Sequence, residues 1–135
     1  MKSKKWILRN SQDIYIRKAR NEGYVSRSAY KLIEIENKFH LIVNSNNILE
    51  LGSSPGGWSQ VICKFNKESK IDAFDLLKMK FTHNNINFFE QDYCKFNFKS
   101  SKSKYDLILS DIAPNTTGHQ STDHLRLASI IYNII

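Results

Sequence analysis

The sequence contains only two cysteines in 135 residues, Cys63 and Cys94. Two are too few for a disulfide scaffold, and their separation is not that of paired metal ligands. The four histidines, His40, His83, His119 and His124, also lack ligand spacing, so no metal is expected. Apolar runs stop after a few residues, too short for a transmembrane helix, and no membrane role is expected. The stretch Met1-Lys2-Ser3-Lys4-Lys5-Trp6 is basic, but no apolar segment and cleavage site follow it, so a secretory signal is not expected. Disorder is not expected either, because the apolar residues, 41% of the total, are spread along the chain. The expectation is one cytoplasmic globular domain of α/β or α+β class, long enough to bury a core.

Acidic residues are scarce: 13 Asp and Glu face 20 Lys and Arg, for a formal net charge of +7. Much of the lysine belongs to a general skew, since 15 Lys, 13 Asn and 16 Ile are what an AT-rich genome produces. The distribution says more. Residues 1–31 carry nine basic side chains against Asp13 and Glu22, a local excess equal to the whole net charge. Four of the five arginines lie there, and codon skew does not concentrate arginine. A basic segment of this kind fits a polyanionic partner, most often nucleic acid.

The apolar periodicity predicts a short helix over 11–22, with Ser11 to cap it and Gly23 to stop it. It predicts a second helix over 27–38, with Ser26 as the candidate N-cap. Strands are expected at 48–51, 71–75, 87–90 and 105–111, with a helix at 58–65 between the first two and a last helix after Ser121 or Thr122. Strands alternating with helices imply βαβ units and a parallel sheet. Residues 99–104 read as a solvated polar loop.

The most informative stretch is Glu50-Leu51-Gly52-Ser53-Ser54-Pro55-Gly56-Gly57-Trp58-Ser59-Gln60, a strand running through a small-residue loop into a helix. Glycines let a ligand approach the backbone, and a helix N-terminus offers unpaired N–H groups. The spacing is neither G-x-G-x-x-G nor a phosphate-binding loop with its lysine, so dinucleotides and triphosphates are disfavoured. Three acids follow at strand ends: Asp75, Asp92 and Asp111. In a doubly wound sheet the carboxyl ends of the strands face the ligand crevice. An acid about twenty residues past the glycine loop commonly accepts from a ribose diol. Asp75 has that position, and Asp92, one strand further out, suits an adenine amino group. An adenosine without a triphosphate fits S-adenosyl-L-methionine best. Each aspartate could instead cap a turn. Tyr24 and Tyr30 could stack on a base, with core packing as the alternative.

Four motifs in order, Ser26-Arg27-Ser28-Ala29-Tyr30-Lys31-Leu32, the 50–60 stretch, Asp75-Leu76-Leu77-Lys78-Met79 and Ser110-Asp111-Ile112-Ala113-Pro114-Asn115, resemble the FtsJ/RrmJ (RlmE) ribosomal RNA 2′-O-methyltransferases. The resemblance covers essentially all of 1–135. It implies a partial Rossmann-like, S-adenosyl-L-methionine-dependent methyltransferase fold: N-terminal helices plus the first four parallel strands, in the order 3-2-1-4. It implies methylation of a uridine ribose 2′-hydroxyl in large-subunit (23S) ribosomal RNA, with ribosomal RNA or the large ribosomal subunit as partner and a monomeric full-length form. Cofactor contacts carry over to Gly56, Trp58, Asp75, Asp92 and Asp111. Of the family's Lys-Asp-Lys-Glu catalytic set, Lys31 and Asp111 match. The second lysine and the glutamate belong to strands this sequence does not contain.

The expected organisation is a single domain over 1–135, incomplete at its C-terminus, with 1–45 as a basic, helical, RNA-binding part. The apolar helix face ending at Ile134 and Ile135 gives the same impression of an interrupted fold. The alternative to an enzyme is a truncated, non-catalytic remnant that keeps only cofactor or RNA binding.

Overall fold

A computed structural model describes residues 14–98 and 105–111. The expected cap at Ser11, the 99–104 loop and the last helix lie outside them. Four strands, β1 (Asn47–Leu51), β2 (Lys70–Asp75), β3 (Ile86–Glu90) and β4 (Leu107–Ser110), form one sheet in the order β3-β2-β1-β4. All three pairings are parallel, as the βαβ pattern and the resemblance imply. Leu51 stands opposite both Phe74 and Ser110, and Asp75 opposite Glu90. The carboxyl ends of the strands are therefore nearly level, and the loops that follow them share one edge of the sheet.

β1 is the most buried strand because it is central and covered on both faces. Alternation divides its side chains between two cores. Ile48 packs with Ala29, Leu32, Trp58, Val61, Ile62 and Ile71 under the helices. Leu49 and Leu51 join Phe74 on the opposite face, where Phe89, Phe96, Phe98 and Tyr105 close over them. Phe74 stacks on Phe89 with ring centroids 4.6 Å apart.

Three helices precede or link these strands. Helix α1 runs through 14–22. It ends where Gly23 takes a φ of +83° and Tyr24 N–H reaches back to the Ala19 carbonyl at 2.8 Å, the glycine stop expected there. Helix α2 (Ala29–Phe39) starts later than its candidate cap, Ser26. A turn at 27–28 intervenes, so the Ser26 hydroxyl accepts from Ser28 N–H at 3.2 Å instead of capping the helix proper. At its far end the buried Glu36 carboxylate accepts from Ile42 N–H at 2.7 Å and Val43 N–H at 3.1 Å, tying the turn into β1 to the helix. Helix α3 (Gly57–Phe65) is the β1–β2 crossover.

Candidate functional site

The site grows from the loop between β1 and α3. Gly56 has a φ of +119°, and a Cβ there would lie 2.9 Å from Phe81 Cβ, so only glycine holds this backbone against the 79–81 segment. The segment is bound in turn, with Lys80 N–H donating to the Pro55 carbonyl at 2.8 Å. Helix α3 begins directly after the loop without a side-chain cap, which leaves its first-turn N–H groups facing out of the helix end.

Asp75 fixes the loop from below. Its Oδ2 accepts from Ser54 N–H at 2.8 Å and its Oδ1 from Leu77 N–H at 2.9 Å. A carboxylate has about four acceptor positions, so two bonds leave capacity for a ligand. Leu76 and Leu77, just past Asp75, are exposed and form an apolar rim at this strand end. Asp92 caps the short turn Tyr93–Lys95, accepting from Cys94 N–H at 2.9 Å. Two of the three strand-end acids thus do act as local caps, while all three stand at the same edge of the sheet. Asp111 follows β4 directly, and its N–H donates to the Leu51 carbonyl at 3.2 Å.

Glu50 lies inside β1, fully buried, and Ser59 donates to its Oε2 at 2.5 Å. Among the described residues, its Oε1 and the buried Ser53 Oγ have no partner. Burial is the main cause that pushes its carboxyl up to about 8; the Ser59 bond opposes this, and the charges of Asp75 and Asp111 add to it. Burial, with Glu50 nearby, also pushes the Cys63 thiol up to about 11, which makes Cys63 an inert core thiol.

Sequence reasoning missed what holds the N-terminal segment in place. Trp58 is buried, and its indole Nε1–H donates to the Ser28 carbonyl at 2.9 Å. The ring is therefore a strut for residues 23–28. Gln60 does the same at the other end, accepting from Val25 N–H at 2.8 Å and donating to the Gly23 carbonyl at 3.0 Å. Gly57 has no Cβ because one would meet Ser26 Cβ at 3.0 Å. The Gly-Trp-Ser-Gln string thus buckles the α1–α2 connection onto α3, and α2 carries Lys31 across to β4.

The result is a cleft of about 480 Å³ whose lining includes Tyr15, Arg27, Tyr30, Lys31, Glu34 and Asp111. Lys31 Nζ stands 3.7 Å from Asp111 Oδ1, an exposed ion pair that brings together the two residues matched to the catalytic set. Tyr24 and Tyr30 pack edge-on with centroids 5.7 Å apart, and the Tyr30 hydroxyl donates to Glu22 at 2.7 Å.

A sequence model of FtsJ-like methyltransferases matches residues 24–135. The chain is 39% identical over 131 residues to a protein of Rhizorhabdus wittichii named ribosomal RNA large subunit methyltransferase E, covering 94% of this chain and 57% of that protein. It is 43% identical over 134 residues to a protein of the same name from Rickettsia typhi, covering 92% and 59%. Both relatives are thus matched over less than two thirds of their length. A solved Plasmodium falciparum structure, assigned as a ribosomal RNA methyltransferase, superposes with a TM-score of 0.61 at 33% identity, over 82% of this chain and 68% of that one. Among the described residues, no helix is long and apolar enough to cross a membrane, and no group of three or more His, Cys, Asp or Glu could hold a metal.

Proposed function

The chain belongs to the FtsJ-like methyltransferase family, and we propose that it forms the S-adenosyl-L-methionine pocket and part of the acceptor cleft of an enzyme that methylates a uridine ribose 2′-hydroxyl in large-subunit ribosomal RNA. The observation that carries this reading is the convergence of Asp75, Asp92 and Asp111 on one sheet edge, around a glycine loop, with Lys31 beside Asp111. The names of the relatives support the substrate class. A ribosomal substrate implies a cytoplasmic setting.

The residues present fit the cofactor. Gly56 holds the loop at a φ of +119° against the 79–81 segment, and the uncapped start of α3 beside it offers backbone N–H groups to a ligand. Asp75 accepts from the ribose diol through the positions its two backbone bonds leave, and Leu76 and Leu77 wall the base. Asp92 accepts from the adenine amino group. Gly56 and Trp58 contribute backbone groups, and Asp111 offers negative charge to a cationic ligand. When bound, S-adenosyl-L-methionine supplies an electrophilic methyl group on a sulfonium.

On the acceptor side, Lys31 donates to the ribose oxygen and Asp111 holds its ammonium in place. The exposed basic residues of α1, Arg17, Lys18 and Arg20, neutralise phosphates of the strand, giving salt-dependent binding. Calorimetric titration with S-adenosyl-L-methionine, NAD⁺ and ATP tests the cofactor assignment. Binding of the first alone is expected; failure to bind it, or binding of either nucleotide in its place, refutes the reading.

A further inference from the structure

Beyond Lys31 and Asp111, the cleft is walled by two tyrosines, Tyr15 from α1 and Tyr30 from α2. Tyr30 is held on several sides. Its hydroxyl donates to Glu22 at 2.7 Å, Tyr24 meets it edge-on, and Lys18 Nζ lies 4.7 Å from its ring centroid. Tyr15 leans on this fixed ring at a centroid distance of 5.9 Å and an interplanar angle of 43°. Tyr15 itself remains 47% exposed, while α1 buries Ala19 to 4% exposure. Helix docking through Ala19 does not need an aromatic side chain at position 15. The cleft is an open groove of about 480 Å³, and Arg27 on its wall adds positive charge. A half-exposed ring, braced on one side by a second ring and set beside cationic side chains, suits stacking recognition of an unpaired nucleobase.

We propose that Tyr15, backed by Tyr30, is a stacking platform for a nucleobase of single-stranded RNA, adjacent to the ribose held by Lys31 and Asp111. This rests on the RNA reading given above and extends it from phosphate charge to base contact. Stacking is indifferent to base identity, so the platform sets the position of the strand and leaves its sequence to other contacts.

The test compares fluorescence anisotropy of two labelled probes: a uridine oligonucleotide of about ten residues and an abasic ribose-phosphate strand of equal length and charge. The wild-type chain is expected to bind the base-bearing strand roughly tenfold more tightly than the abasic one, the scale of one aromatic stack. Tyr15→Ala should erase that preference and leave the salt dependence unchanged. Tyr15→Phe should retain it, because the ring stacks and the hydroxyl does not. Equal affinity of the wild type for both strands, a comparison that needs no variant, overturns the platform and leaves charge-driven RNA binding intact. An unchanged preference in a folded Tyr15→Ala variant overturns it too. Binding of neither strand by the wild type overturns the RNA reading itself.

Discussion

Replacing Glu50 with glutamine tests the electrostatic structure beneath the cofactor loop. Its carboxyl is fully buried and pushed from an ordinary value of 4.5 up to about 8, chiefly by burial, with Asp75 and Asp111 adding repulsion. Between those limits the folded chain keeps a proton that the unfolded chain releases. The stability associated with Glu50 is therefore complete below about pH 4.5 and is lost as pH rises towards 8, with a limiting slope of about 1.4 kcal/mol per pH unit. Across the window the loss is roughly 3–5 kcal/mol. Glutamine keeps an oxygen to accept from the Ser59 hydroxyl and carries no titrating proton. Its NH2 falls where Oε1 has no partner among the described residues, which adds a penalty that does not depend on pH. Urea unfolding of wild type and Glu50→Gln from pH 5 to pH 9 separates the two effects. The wild type should lose stability relative to the variant as pH rises, and the curves should run parallel above pH 8. Parallel curves over the whole range would refute the argument, because they would mean Glu50 is ionised in the folded chain.

Asp75→Ala removes the acceptor of both Ser54 N–H and Leu77 N–H. It should weaken S-adenosyl-L-methionine binding by about 1.5–3 kcal/mol in calorimetry, and unchanged affinity in a folded sample would remove Asp75 from the site. Replacing Arg17, Lys18 and Arg20 on exposed positions of α1 with alanine should lower the slope of log affinity for RNA against log salt by about 1 for each phosphate no longer neutralised. An unchanged slope would mean that the basic excess is compositional. Gly56→Ala places a Cβ 2.9 Å from Phe81 Cβ at a φ of +119°. It should cost about 1–3 kcal/mol in a thermal melt; a neutral result would mean the 79–81 segment yields freely.

The order and type of the described elements and the parallel sheet were legible because local patterning sets them, whereas the ends shifted: α2 begins at Ala29, and β4 spans only Leu107–Ser110 of the expected 105–111. Central strands such as Ile48-Leu49-Glu50-Leu51 are buried on both faces and read as apolar runs, while α2 and α3 carry helical periodicity. Gly23 announced a helix stop for a reason confined to its own backbone, a positive φ. The strand-end acids were legible too, since a parallel sheet sends every carboxyl end to the same edge. Spacing along the chain could not reveal the partners. Trp58 and Gln60 bond to residues 30 to 37 positions away, and such bonds exist only once α3 has packed beside the α1–α2 connection. Nor could it reveal that Glu50 holds a proton near neutrality: an acid in a strand is ordinary until both faces of that strand are covered and water is excluded. Tyr15 escapes a reading of the sequence for the same reason. On α1 it is one exposed aromatic, and it becomes part of a cleft only when α2 brings Tyr30 beneath it and β4 brings Asp111 alongside.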